Sequence, residues 1–198
     1  MDIYSDKSTL EFVTVATEYC AFVEKAKKFS KKDFLEKLHK LLSLIYLKTT
    51  LLTPDDSIPE GEVEAYLSEY EYEYIKRNVS IVLGSSDSYI SIYNALEADS
   101  ETEQAEISDC IADIYHNLKN FVENYRSLSE ESAAASRAEL LSDFREYWGI
   151  KLLSLLTVVH NLVYFSDLND DEEEGEEDVP KEAKNFYSDF VENYHKKI

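Results

Sequence analysis

Glycine and proline are nearly missing from this 198-residue chain, which has four of one and three of the other. An all-β domain needs a turn signal every 8–12 residues or so, and this chain cannot supply them. Two cysteines, Cys20 and Cys110, are too few for a disulfide scaffold or a zinc knuckle. Each falls at the edge of an apolar helical stripe and reads as a small core residue. The start of the chain, Met1 to Lys7, has no basic or apolar leader region, so no signal peptide is expected. The longest apolar stretch, Ile150 to Phe165, is broken by Lys151, Ser154, Thr157, His160 and Asn161, and reads as too short and too polar to cross a membrane. Positive charge is also scarce: 20 Lys and Arg face 41 Asp and Glu, a net charge of −21. Such a chain repels nucleic acid and anionic membranes overall; a basic partner protein, or no charged partner at all, fits better. A cytoplasmic location is expected.

What remains after these exclusions is a helical pattern. Apolar residues recur every three to four positions, which predicts an all-α bundle of about five to six helices over residues 1–168. A first helix over about Thr9–Lys28 carries Phe12, Val15, Ala16, Tyr19, Phe22 and Val23 on one stripe, with Ser8 and Glu11 at capping-box spacing. Ser30 reads as the N-cap of a second helix bearing Phe34, Leu38, Leu42 and Ile45. Pro54 and Pro59 bracket a loop.

A third helix is expected over Glu60 to about Val82, closed by Gly84, although Glu69–Tyr74 alternates as a strand would. Ser85–Leu96 reads as a loop with a short extended piece at Tyr89–Tyr93. A fourth helix is expected over Thr102–Leu128 and a fifth over Ser132–Phe165. The second half of the fifth is apolar nearly all round, which predicts the bundle's central helix. Gly149 inside it signals close contact or a kink beside Trp148. Eight acids in the nine residues Asp170–Asp178 predict a disordered acidic linker over residues 169–180. A short amphipathic helix is expected over residues 181–198.

Functional signals are sparse. Asp109, Asp113, His116 and Asn120 share one face of the fourth helix but lie opposite its apolar stripe, so they read as a solvated face rather than a metal site. Glu36 and His39 form a single Glu-x-x-His, without the second copy a di-metal bundle site requires. There is no phosphate loop or nucleophile elbow, and no cofactor is expected. Trp148, His160 and Tyr115 are the residues expected to line any pocket between helices. The 15 tyrosines concentrate at Tyr66, Tyr70, Tyr72, Tyr74, Tyr89 and Tyr93, which suits a partner-binding surface on Tyr66, Tyr70, Tyr74, Tyr89 and Tyr93. Seven lysines lie between Lys25 and Lys40, with Lys25, Lys28, Lys31 and Lys32 as the expected anion-binding group.

Several segments resemble one known family. Ala112-Asp113-Ile114-Tyr115-His116-Asn117-Leu118-Lys119-Asn120-Phe121, Trp148-Gly149 followed by His160, Glu11 to Cys20, Leu41 to Leu52, and Gly84 to Tyr89 are similar to the domain of unknown function DUF5063 of Bacteroides-type bacteria. The resemblance covers about residues 8–165. It implies an all-α fold and a bacterial cytoplasmic setting, and it transfers no catalytic residue. Net charge, tyrosine clustering and the lack of a catalytic signature make a non-enzymatic helical adaptor the leading expectation, with the Tyr66–Tyr93 segment and the acidic tail as its contact elements. A small-molecule pocket near Trp148 and His160 comes second, and an acidic nucleic-acid mimic third.

Overall fold

The computed structural model describes residues 3–53, 63–92, 102–127 and 129–166. The acidic run, the C-terminal amphipathic segment and Tyr93 lie outside them. Among the described residues, six α-helices make the bundle: α1 (Lys7–Val23), α2 (Lys31–Thr50), α3 (Glu69–Leu83), α4 (Ile107–Arg126), α5 (Glu130–Asp143) and α6 (Gly149–Phe165). A short antiparallel pair, β1 (Ser88–Ile92) and β2 (Thr102–Glu106), precedes α4, with Ser88 opposite Glu106 and Ile92 opposite Thr102. The fold is the expected all-α bundle with this small ribbon added.

Local chemistry explains the boundaries. α1 starts at Asp6, whose carboxylate accepts from the Thr9 backbone N–H at 3.1 Å, rather than at the Ser8 cap expected. Ser30 caps α2 by accepting from Asp33 N–H at 3.1 Å. α3 begins at Glu69, nine residues later than its tyrosine stripe suggested. Ser68 and Glu71 form a complete capping box there, each satisfying a free amide of the other. Gly84 ends α3 at φ 55°, a conformation that side chains with a Cβ avoid.

Residues 102–106, read as the first turns of the fourth helix, are instead strand β2. α4 begins after them with its cap supplied from elsewhere. The carboxylate of buried Asp87 accepts from Ser108 N–H and Ser108 Oγ, both at 2.7 Å. A carboxylate at these free amides also suits the positive end of the helix.

α4 is the enclosed helix. Ile107, Ile111, Ile114, Leu118, Phe121 and Val122 are buried, and it packs against α1, α3 and α5. This corrects the expectation that the apolar half of the last long helix sits at the centre. α6 buries only Gly149, Leu152, Leu155 and Val159, while Ile150 is 45% and Leu153 44% exposed. Its apolar residues surround the helix, but the bundle covers one side.

α5 and α6 form one 36-residue helix, Glu130–Phe165, joined through a π turn at Phe144–Trp148. By length and composition alone this helix could cross a membrane, which corrects the reading of Ile150–Phe165 as too short; core helices pass the same test. Within the bundle it is anchored by Trp148, fully buried, whose indole N–H donates to the Leu140 carbonyl at 3.2 Å.

Gly149 has the role its position suggested. Its N–H donates to the Phe144 carbonyl five residues back, the bond that defines a π turn. A Cβ here would fall on that carbonyl oxygen and lie 2.9 Å from two ring carbons of Phe144. The Phe144 ring cannot move freely, because it packs on Trp148 and Tyr46. Gly149→Ala is therefore expected to destabilise the fold by about 1–3 kcal/mol through overpacking, against a helix-propensity gain of up to about 1 kcal/mol. Urea denaturation of the two proteins, compared at unchanged m, measures the balance.

Candidate functional site: a cleft between α4 and α5

The face of α4 opposite its apolar stripe leaves His116 exposed, as expected, but is otherwise not the solvated surface expected. It is a polar seam to which four other segments bond. Asp113 lies at its centre and accepts from Tyr72 Oη of α3 at 2.8 Å, from Tyr147 Oη of the π turn at 2.9 Å, and from Lys151 Nζ of α6. One turn earlier, Asp109 pairs with Lys76 of α3 at 2.9 Å. Two turns beyond Asp113, Asn120 Oδ1 accepts the backbone N–H groups of Tyr66 (2.9 Å) and Leu67 (3.1 Å). Asn124, fully buried, accepts from Glu64 N–H at 3.2 Å and donates to the Glu64 carbonyl at 2.9 Å. Two asparagine side chains thus act as peptide surrogates for an irregular segment that would otherwise leave its amides unpaired.

This pinning makes a cleft of about 380 Å³. Val63, Glu64 and Ala65 form one wall, α5 supplies Ser136, Glu139, Leu140 and Asp143, and α4 supplies His116, Asn117, Asn120 and Phe121. Tyr147 closes the end next to the π turn. Phe121 and Leu140 make an apolar floor, both buried, whereas Glu139, Tyr147 and His116 stand exposed at the rim. The cleft contains no group of three or more side chains that could hold a metal ion, nor does any other place among the described residues.

The rim carboxylates are unusual for this molecule. Elsewhere, carboxylates facing the seam or the helix contacts meet cations: Asp6 meets Arg137, Glu11 meets Lys48, Glu123 meets Lys119, and Asp109 and Asp113 meet lysines. Among the described residues, Glu139 and Asp143 have no ion pair. Burial pushes both carboxyls above their usual range. Each is also raised by an acidic neighbour, Asp143 for Glu139 and Glu146 for Asp143, with only the His116 imidazole opposing. On the other side of Asp113, burial lowers and the Asp113 and Tyr147 contacts raise the Lys151 ammonium, leaving it above its usual value. The Tyr72 phenol is likewise held up by burial and by Asp113, so it remains a donor. The seam is a fixed scaffold of charge and hydrogen bonds, and the rim is an uncompensated negative edge.

A family model for the domain of unknown function DUF5063 matches residues 4–165. The chain belongs to this family. The DUF5063 chain is also similar to a solved structure, the crystal structure of protein BF1032 from Bacteroides fragilis, at 32% identity and a TM-score of 0.73. That likeness covers 83% of this chain and 98% of the Bacteroides protein. Comparison with curated proteins finds no match.

The residues expected to line a pocket in this DUF5063 domain are not brought together. Trp148 is enclosed in the core, and buried Tyr115 donates to Glu24 Oε1 at 3.0 Å. His160 is exposed on α6, its ring packed against His39 and Tyr164. The cleft has none of the three. The tyrosine group is dispersed as well. Tyr66 and Tyr70 are exposed beside the cleft wall and at the start of α3. Tyr74 is half-buried against the core, and the half-buried Tyr89 has its hydroxyl 3.2 Å from Cys110 Sγ. Lys25 and Lys28 sit at the turn between α1 and α2, and Lys31 and Lys32 open α2. Cys20 and Cys110 are free and buried.

Of the cleft residues, sequence reasoning singled out His116 and Asn120 but missed Glu139, Asp143 and Tyr147. A signal existed for the first pair: Glu139 and Asp143 stand four apart, on one face of an otherwise Ala-rich helix. Because both carboxyls sit above their unfolded values, each loses stability as pH rises through the carboxylate range and regains it below about pH 4. Glu139→Gln and Asp143→Asn are therefore expected to raise the melting temperature at neutral pH, with the gain disappearing near pH 4. Thermal melts at the two pH values check both the sign and its disappearance.

Proposed function

We propose that this DUF5063 chain is a non-enzymatic helical module that binds a basic segment of a protein partner, and that the α4–α5 cleft receives it. The observation that carries the reading is the pair Glu139 and Asp143, partly desolvated yet without a cation among the described residues, over the apolar floor of Phe121 and Leu140. Such a lining suits the methylenes and the charged head of a lysine or arginine side chain together. Exposed Tyr66 and Tyr70 add aromatic contact area at low entropic cost. The net charge of −21 favours the encounter with a basic partner. Burial of both free cysteines is compatible with the cytoplasmic setting the family resemblance suggests.

A second reading has one observation in its favour. A cleft of about 380 Å³ lies within the size range of small-molecule sites, and an organic cation would meet the same groups. Cross-linking in the native host, followed by peptide mapping, tests the first reading. The expected result is a recurrent partner peptide rich in lysine and arginine, attached beside α5 and lost in Glu139→Lys/Asp143→Lys. Cross-links indifferent to the charge reversal would refute it. Saturable binding of a free polyamine, with no recurrent partner peptide, would favour the second reading.

A further inference from the structure

Away from the cleft, on the opposite side of α6 from Lys151, the fold brings together two histidines that lie far apart in sequence. His39 comes from the middle of α2 and His160 from the last turns of α6, two helices in extensive contact. Their ring centres are 5.6 Å apart, with the planes at 59°. The Tyr164 ring packs on both, at 5.6 Å from His39 and 4.7 Å from His160. His39 is half-buried, while His160 is exposed, so the pair opens to solvent on one side.

We propose that His39 and His160 form a two-imidazole chelate for a divalent transition-metal ion of the zinc or nickel kind, clamping the end of α6 to α2. Geometry is the warrant. Zinc binds imidazole nitrogen at about 2.0–2.1 Å, so two rings on one tetrahedral ion hold their centres roughly 5 Å apart. The observed separation of 5.6 Å is close to that value. Imidazole is also the ligand type such ions prefer over the carboxylates abundant elsewhere on this chain. Water would fill the remaining coordination positions, since no third His, Cys, Asp or Glu joins the pair among the described residues. The site is independent of the cleft and of any partner bound there.

The clamp has a physical use in this fold. α6 buries one narrow face, and Tyr164 and Phe165 near its end are 61% and 79% exposed. A bond between α2 and α6 at His160 holds the most weakly covered part of the long helix. Binding to the folded state alone would stabilise it by an amount that grows with the logarithm of metal concentration once the site fills.

The test uses the full chain, freed of metal, titrated with zinc chloride and separately with nickel chloride in excess magnesium, which occupies the carboxylates. The expected result is one strong equivalent, weakened by at least about tenfold in each of His39→Gln and His160→Gln. Imidazole proton resonances of His39 and His160 should shift together at one equivalent. The variants' circular dichroism, matched to the parent without metal, guards against misfolding. Equal affinity in parent and both variants, or no saturable binding at millimolar metal, would overturn the proposal.

Discussion

The carboxylate of Asp113 is the point from which the rest of the architecture follows. One oxygen accepts from Tyr72 and the other from Tyr147 and Lys151, so α3 and the long Glu130–Phe165 helix converge on one turn of α4. With Asp109 on Lys76 and Asn120 and Asn124 on the backbone of residues 64–67, four residues of the polar face of α4 are engaged by other segments, while His116 stays exposed. The apolar face supplies the larger driving force, at about 1.5–3 kcal/mol for each fully buried Ile, Leu or Phe. Non-directional burial alone would not select which helix lies on the other side. The fixed donor and acceptor geometry of the seam does that, and it sets the walls of the cleft as a consequence.

The π turn belongs to the same constraint. Continuing α5 as a regular helix would rotate Tyr147 and Lys151 away from where they now stand. The extra residue at Phe144–Trp148 turns Tyr147 toward Asp113 while Trp148 remains in the core. Gly149 permits this because it has no Cβ to meet the Phe144 carbonyl. A local irregularity is therefore tied to the one carboxylate that needs two donors from this helix.

Much of the fold was legible because it depends on local chemistry. The apolar spacing gave the helices, Ser30 gave the start of α2 and Gly84 the end of α3. The Ser68–Glu71 capping box was equally legible, but the stripe running back through Tyr66 and Val63 competed with it; the backbone before Ser68 is instead held by asparagines from α4. The site was less legible for a geometric reason. His160 lies twelve positions after Trp148, which at about 100° per residue turns it by roughly 120° around the helix, so one residue points inward and the other outward. The polar face of α4 looked solvated because a helical wheel shows one helix at a time. Tyr72, Lys76 and Lys151 become its partners only through tertiary packing.

The most direct measurement of this account is the unfolding free energy of Asp113→Asn beside that of Asp113→Asn/Lys151→Met. The Asp113 and Lys151 side chains are each 14% exposed, and stranding one member of a fully buried pair costs about 3–5 kcal/mol, with less expected for a pair that keeps some contact with water. The single variant should lose a substantial part of that, and removing the stranded ammonium in the double variant should restore much of the loss. A single variant as stable as the parent would contradict the claim that the seam on α4 organises the bundle.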